Sequence, residues 1–136
     1  MSVALRIVYL LAGLAVIFLG LNVGFGGIRT LGWQGGTEFL AVTDPGLFAV
    51  RDSHVRFLGG VWLGLGLTLC AAAWRPAALK PTVLAICGMV FVGGVVRLAS
   101  TGIAVVTGPD LLQPLILELA AFPALALWTW KSAPNA

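Results

Sequence analysis

At 136 residues, with 60% hydrophobic and only 10% charged side chains, the chain cannot dress a water-facing surface, for which a soluble domain carries roughly 25% charged residues. Its mean hydropathy of +1.04 points to an integral membrane protein, and its length suits one small domain spanning 1–136. The net charge of +3 comes from dispersed basic residues with no run and no stripe interleaved with aromatics, so no nucleic-acid partner is expected.

The first apolar segment follows Arg6. It continues into Asn22-Val23-Gly24-Phe25-Gly26-Gly27 without a small-residue cleavage site, so it reads as a retained transmembrane helix over about 4–23 rather than a signal peptide. The connection from Gly24 to His54 mixes Gly26, Gly27, Gly32, Gly35 and Gly36 with Trp33, Phe39 and Phe48. Within it, Thr43-Asp44-Pro45 has the chemistry of a helix start. A short helix over 45–50 is expected there, lying in the interface and anchored by Trp33 and the phenylalanines. The second span covers about 55–74 and is free of charge from Phe57 to Trp74; Arg75-Pro76 to Lys80-Pro81 makes a tight turn. A third span over about 82–106 is interrupted only by Arg97. Thr107-Gly108-Pro109-Asp110 closes the next turn, and a fourth span over about 111–130 is interrupted only by Glu118. Each segment meets the roughly 20 residues needed to cross a ~30 Å core, and none alternates as a barrel strand does. The expected fold is all-α: a four-transmembrane-helix bundle with a long outward loop between helices 1 and 2, and with helices 2, 3 and 4 as antiparallel neighbours.

Arg6, Arg75, Lys80 and Lys131 fall on one side of such a bundle; Arg29, Arg51 and Arg56 fall on the other with Glu38, Asp44, Asp52 and Asp110. The excess of basic residues favours cytoplasmic termini and a bacterial inner (plasma) membrane. Cys70 and Cys87 lie in apolar stretches without C-x-x-C or metal spacing, and read as small buried side chains.

Arg97 and Glu118 are the residues that most need an explanation, because a charge near the membrane centre costs about 3 kcal/mol or more. Counting 1.5 Å per residue sets both at similar depth, about a third of the way in from the outer face, and predicts an ion pair between adjacent helices. Such a pair either fixes the register of the two helices or lines a polar pocket opening outward. Ser100 and Thr101, one turn beyond Arg97, either extend that pocket or bond their own helix backbone.

Arg51, Asp52, His54 and Arg56 form a polar cluster at the outer mouth, where Asp52 or Ser53 would cap helix 2 or the arginines would meet an anionic headgroup. His54 is the only histidine and lacks neighbours at ligand spacing, so no metal, heme or other cofactor is expected. Asp52, Ser53 and His54 are consecutive and cannot converge as a catalytic triad. Gly24-Phe25-Gly26-Gly27 follows no strand and is no nucleotide fingerprint. No catalytic residue is therefore assigned. Gly20 with Gly24, and Gly60 with Gly64, make small-xxx-small faces for close helix packing or for another membrane protein, and helix 3 offers Gly88, Gly93 and Gly94. Pro114 and Pro123 predict a break or kink in helix 4 beside Glu118.

The stretch Arg56-Phe57-Leu58-Gly59-Gly60-Val61-Trp62-Leu63-Gly64-Leu65-Gly66-Leu67, with Arg97-Leu98-Ala99-Ser100 and Leu117-Glu118-Leu119, resembles a bacterial family of small four-helix integral membrane proteins known only as a domain of unknown function. The resemblance covers almost the whole chain, implies the four-helix fold, singles out Arg56, Arg97 and Glu118, and brings no activity; the long glycine-rich first loop departs from it. The expected role is a non-catalytic accessory subunit or interaction scaffold of a larger membrane assembly, with membrane lipids and another membrane protein or a second copy as partners. The alternative is binding, transfer or modification of a lipid-like molecule in a pocket near Arg97 and Glu118. A small transporter fits less well, because the inner halves of helices 2 and 3 are too apolar for a polar path.

Overall fold

The computed structural model describes residues 2–30 and 41–132, and these are helical apart from short links. Gly32, Trp33, Gly35, Gly36, Glu38 and Phe39 lie outside the described residues. Helix α1 is Val3–Gly26; a 3-10 turn, Gly27–Thr30, follows it. Helix α2 is Pro45–Trp74, α3 is Lys80–Ser100, and α4 is the short Ile103–Val106. Then come α5 (Pro109–Ile116), a π-helical turn (Leu117–Ala121) and α6 (Phe122–Ser132). Four segments are long and apolar enough to cross a membrane: Val3–Thr30, Pro45–Trp74, Lys80–Ser100 and Pro109–Ser132.

Two boundaries differ from the sequence expectation, each for a local reason. First, the separate interface helix does not exist. Residues 45–54 are the first turns of one 30-residue α2, because nothing between Val50 and Val55 breaks a helix and the Asp52–Arg56 pair at four-residue spacing favours one. The start at Asp44 does have the expected chemistry: its carboxylate accepts the Leu47 N–H at 3.0 Å, and Pro45 fills the first position, where no N–H is needed. At 1.5 Å per residue α2 is about 45 Å long, so its charged first turns extend past a ~30 Å core. Second, α3 ends at Ser100 and not near 106. Thr101 is extended (φ −116°, ψ 139°) and Gly102 leads into α4. The last span is interrupted beside Glu118, in keeping with the break or kink expected from Pro114 and Pro123: a π turn separates α5 from α6.

The helices sort into two compact units. One is Val8–Ala71, built from α1 and α2; the other joins the start of the chain, up to Ile7, to everything from Ala72 onward. In the first, glycines bring backbones together. A Cβ on Gly20 would lie 2.4 Å from the Leu63 nitrogen, one on Gly59 would lie 2.2 Å from the Gly24 nitrogen, and those on Gly13 and Gly66 would lie 2.6 and 2.7 Å from the opposite helix. Backbones this near leave room for no side chain between them. In the second unit, α3 packs along α6 and the π turn, and α4 packs on α5. The buried residues of α3, Val83, Ile86, Cys87 and Gly94, repeat at helical spacing, as do Leu125 and Thr129 of α6. Most other large apolar side chains are exposed, as a lipid-facing surface requires.

Candidate functional site

The structure brings Arg97 of α3 and Glu118 of the π turn together. Arg97 Nε donates to Glu118 Oε2 at 2.9 Å and Nη2 donates to Oε1 at 2.8 Å, the two-pronged geometry that a planar guanidinium matches to a carboxylate. Glu118 is buried; its side chain is 10% exposed, that of Arg97 32%. The sequence explains the approach. Gly94 sits one turn before Arg97, and a Cβ there would lie 2.7 Å from Glu118 Cβ and 2.8 Å from Leu119 Cδ2. Arg97 is about 26 Å along α3, and Glu118 about 14 Å beyond the start of α5, so both lie within the spanning segments.

The π turn belongs to the same arrangement. The Phe122 N–H donates to the Leu117 carbonyl, five residues back where an α-helix uses four. Pro123 follows at once and has no N–H, so the ladder cannot continue regularly through this turn. The sequence showed the prolines; nothing in it marked the extra residue of the π turn. Ser100 bonds the Val96 carbonyl of its own helix at 2.7 Å, which is the backbone option and not an extension of a pocket. An apolar groove of about 280 Å³ lies along α5, lined by Pro109, Leu112, Gln113, Ile116 and Leu117; Arg97 and Glu118 are not among its walls.

The Arg51–Arg56 cluster has a different role from the expected cap of helix 2. Asp52 lies inside α2 and serves the end of α1. Its Oδ1 accepts the Ile28 N–H at 2.8 Å, and its Oδ2 accepts Arg56 Nε at 2.6 Å. Arg56 Nη1 in turn donates to the Gly24 carbonyl at 3.5 Å and to the Phe25 carbonyl. These are among the last carbonyls of α1, which have no partner within the helix and carry the negative end of its dipole. Gly27 makes the turn with φ +71°, and a Cβ there would collide with Asp52 Oδ1; only glycine enters this left-handed region without strain. Thr30 Oγ1 adds a bond to the Asn22 carbonyl at 3.0 Å. Asp52 stands before the charge-free part of α2. The Arg56 hydrogen bond, followed by that of the Ile28 N–H, holds its carboxyl below the usual value of 3.8. Arg51 and His54 are exposed, and Arg29 lies over the Phe48 ring at 5.4 Å. The Gly26-Gly27 pair was the available sign that α1 stops here, and it points to the helix end that the cluster serves.

The glycine faces also sort differently. Gly20 and Gly24 do meet α2, but through Gly59 and Leu63; among the described residues, nothing lies within 4 Å of a Cβ on Gly60 or Gly64. The packing stripe on α2 runs through Gly59, Leu63 and Gly66, to one side of the expected one, and the Gly60–Gly64 stripe is open among the described residues. At the other end of the second unit, Lys80 Nζ donates to the Trp130 carbonyl at 3.2 Å near the end of α6. Cys70 and Cys87 are free thiols. Among the described residues, no group of three or more His, Cys, Asp or Glu could hold a metal ion.

Neither a curated protein nor a solved structure matches the chain. A family model does, that of a domain of unknown function (DUF4345), over residues 4–129. This span takes in most of each of the four apolar helices, the Asp52–Arg56 and Arg97–Glu118 pairs and the glycine stripes, and the chain belongs to the DUF4345 family.

Proposed function

We propose that this protein is a non-catalytic accessory subunit or interaction scaffold of a larger assembly in a bacterial inner membrane, with both termini in the cytoplasm. The observation that carries the reading is the open Gly60–Gly64 stripe on α2. Close helix approach in a bilayer uses small residues at four-residue spacing, and here Gly59 and Gly66 are covered by α1 while the Gly60–Gly64 pair is left bare among the described residues. Gly88 and Gly93 of α3 are open in the same way. The test is purification in mild detergent followed by mass spectrometry of what stays bound, with Gly60→Ile/Gly64→Ile as the control. A stoichiometric membrane protein lost on that double change supports the reading. A stoichiometric lipid with no protein partner counts against it.

A second reading, binding or transfer of a lipid-like molecule, is favoured by the groove along α5, which ends at Leu117 beside Glu118 in the chain. A volume of about 280 Å³ is just below the range that small-molecule sites use. Leu112→Trp would fill it; loss of a co-purifying lipid on that change, with the thermal midpoint unchanged, would favour this reading over the first.

A further inference from the structure

We propose that α4 and α5 form a hinged arm, that the π turn is its hinge, and that the Arg97–Glu118 pair is its latch. Three observations converge on this. The backbone between Asp110 and Ala124 carries a defect on either side of Glu118. Pro114 removes the N–H that the Asp110 carbonyl would accept. Pro123 removes the donor that the Glu118 carbonyl would use at five-residue spacing, or the Leu119 carbonyl at four. Bends in helices concentrate at prolines and π turns. The other end of the arm is also free of a rigid join, because Thr101 is extended and Gly102 separates α4 from α3.

The packing of the helices against one another changes at the same place. α3 packs extensively along α6 and less along α4 and α5, where Val106 and Leu115 are the arm's buried residues, so α6 is held to α3 more firmly than the arm is. The strong connection at the boundary is the two-pronged bond from Arg97 to Glu118, in the first turn of the π segment. Breaking it releases the arm without unpacking α6. The groove is lined by α5 together with Leu117 of the hinge, so a swing of the arm reshapes the groove, and the latch governs its shape from α3.

The test is a distance measurement across the hinge in the full chain, reconstituted in lipid nanodiscs. With Cys70→Ala and Cys87→Ala as background, spin labels are attached at Met89→Cys on α3 and Asp110→Cys at the tip of the arm, both exposed positions. The eight residues of α5 make an arm of about 12 Å, so a bend of about 25° at its base moves Asp110 by about 5 Å. The parent is expected to give one narrow distance distribution. Glu118→Gln is expected to broaden it and shift its mean by about 5 Å. Glu118→Gln/Pro123→Ala, which restores the missing backbone donor, is expected to return it to a narrow distribution. An unchanged distribution in Glu118→Gln would show that the pair is no latch. A double variant as broad as Glu118→Gln would show that the break at Pro123 is no hinge. Where Glu118→Gln does not accumulate, Glu118→Asp, which keeps the charge but shortens the reach, takes its place with the same expected and overturning results.

Discussion

The α1–α2 pair and the contact of α3 with the π turn solve the same problem with opposite placements of charge. Both join helices through glycine and an ion pair. Between α1 and α2 the glycines do the packing over several turns, and the Asp52–Arg56 pair sits at the helix end, where it caps carbonyls that would otherwise need water. Between α3 and the π turn a single glycine, Gly94, opens the space, and the charges themselves make the contact within the span. A pair at a helix end has solvent and backbone groups as substitute partners. A pair in the span has none, so its two members depend on each other.

That contrast ranks the effects of mutation. The largest loss is expected for Arg97→Met or Glu118→Gln alone, about 3 kcal/mol each, because either strands a charge in low dielectric. The double change should recover much of it, as a double-mutant cycle on thermal unfolding in mild detergent would read; simple additivity would break the idea of mutual dependence. Next is Gly59→Ala, at about 2–3 kcal/mol, since the new methyl meets backbone that cannot give way. Gly60→Ala, one residue on, should stay within about 0.5 kcal/mol, and equal effects at the two positions would contradict the assignment of the packing stripe. Gly94→Ala should cost about 1–2 kcal/mol, less than Gly59→Ala, because one of the atoms it meets is the movable end of Leu119.

The smallest effect belongs to the helix-end pair. Asp52→Asn should cost about 0.5–1 kcal/mol, the scale of exposed pairs and caps, and its pH dependence identifies it. The folded carboxyl sits below its ordinary value of 3.8, so its contribution is complete above that value and declines as pH falls through the lower folded value. The unfolding midpoints of parent and Asp52→Asn should therefore converge below pH 3.8. A gap that persists there would mean that the carboxylate's charge is not what Asp52 contributes.

Much of the architecture was legible because the membrane makes composition decisive. Long charge-free runs must be helices that satisfy their own backbone, and Asp44-Pro45 and Gly108-Pro109 punctuate them by rules that act within a few residues. The departures come where such rules compete. Arg51 to His54 looked like a helix beginning because polar residues gather at caps, yet those same residues are good enough helix formers to continue a helix already started at Pro45. Gly60 and Gly64 looked like the packing stripe because the spacing is right, but Gly59 and Gly66 offer glycines to the same helix a short rotation away. Spacing alone cannot say which face a partner will take.

By itself, then, the sequence determined that the chain is all-α, where its four apolar segments lie, and that Arg97 and Glu118 stand inside two of them. These are properties of single segments, set by solvation and backbone chemistry. Only the tertiary structure decided that Asp52 and Arg56 close the end of α1, that the Gly60–Gly64 stripe stays open, and that Glu118 reaches Arg97 from a π turn. Those outcomes depend on how one helix is rotated against another. Rotation is fixed by steric fit between backbones a few ångströms apart, to which residues far separated in the chain contribute together.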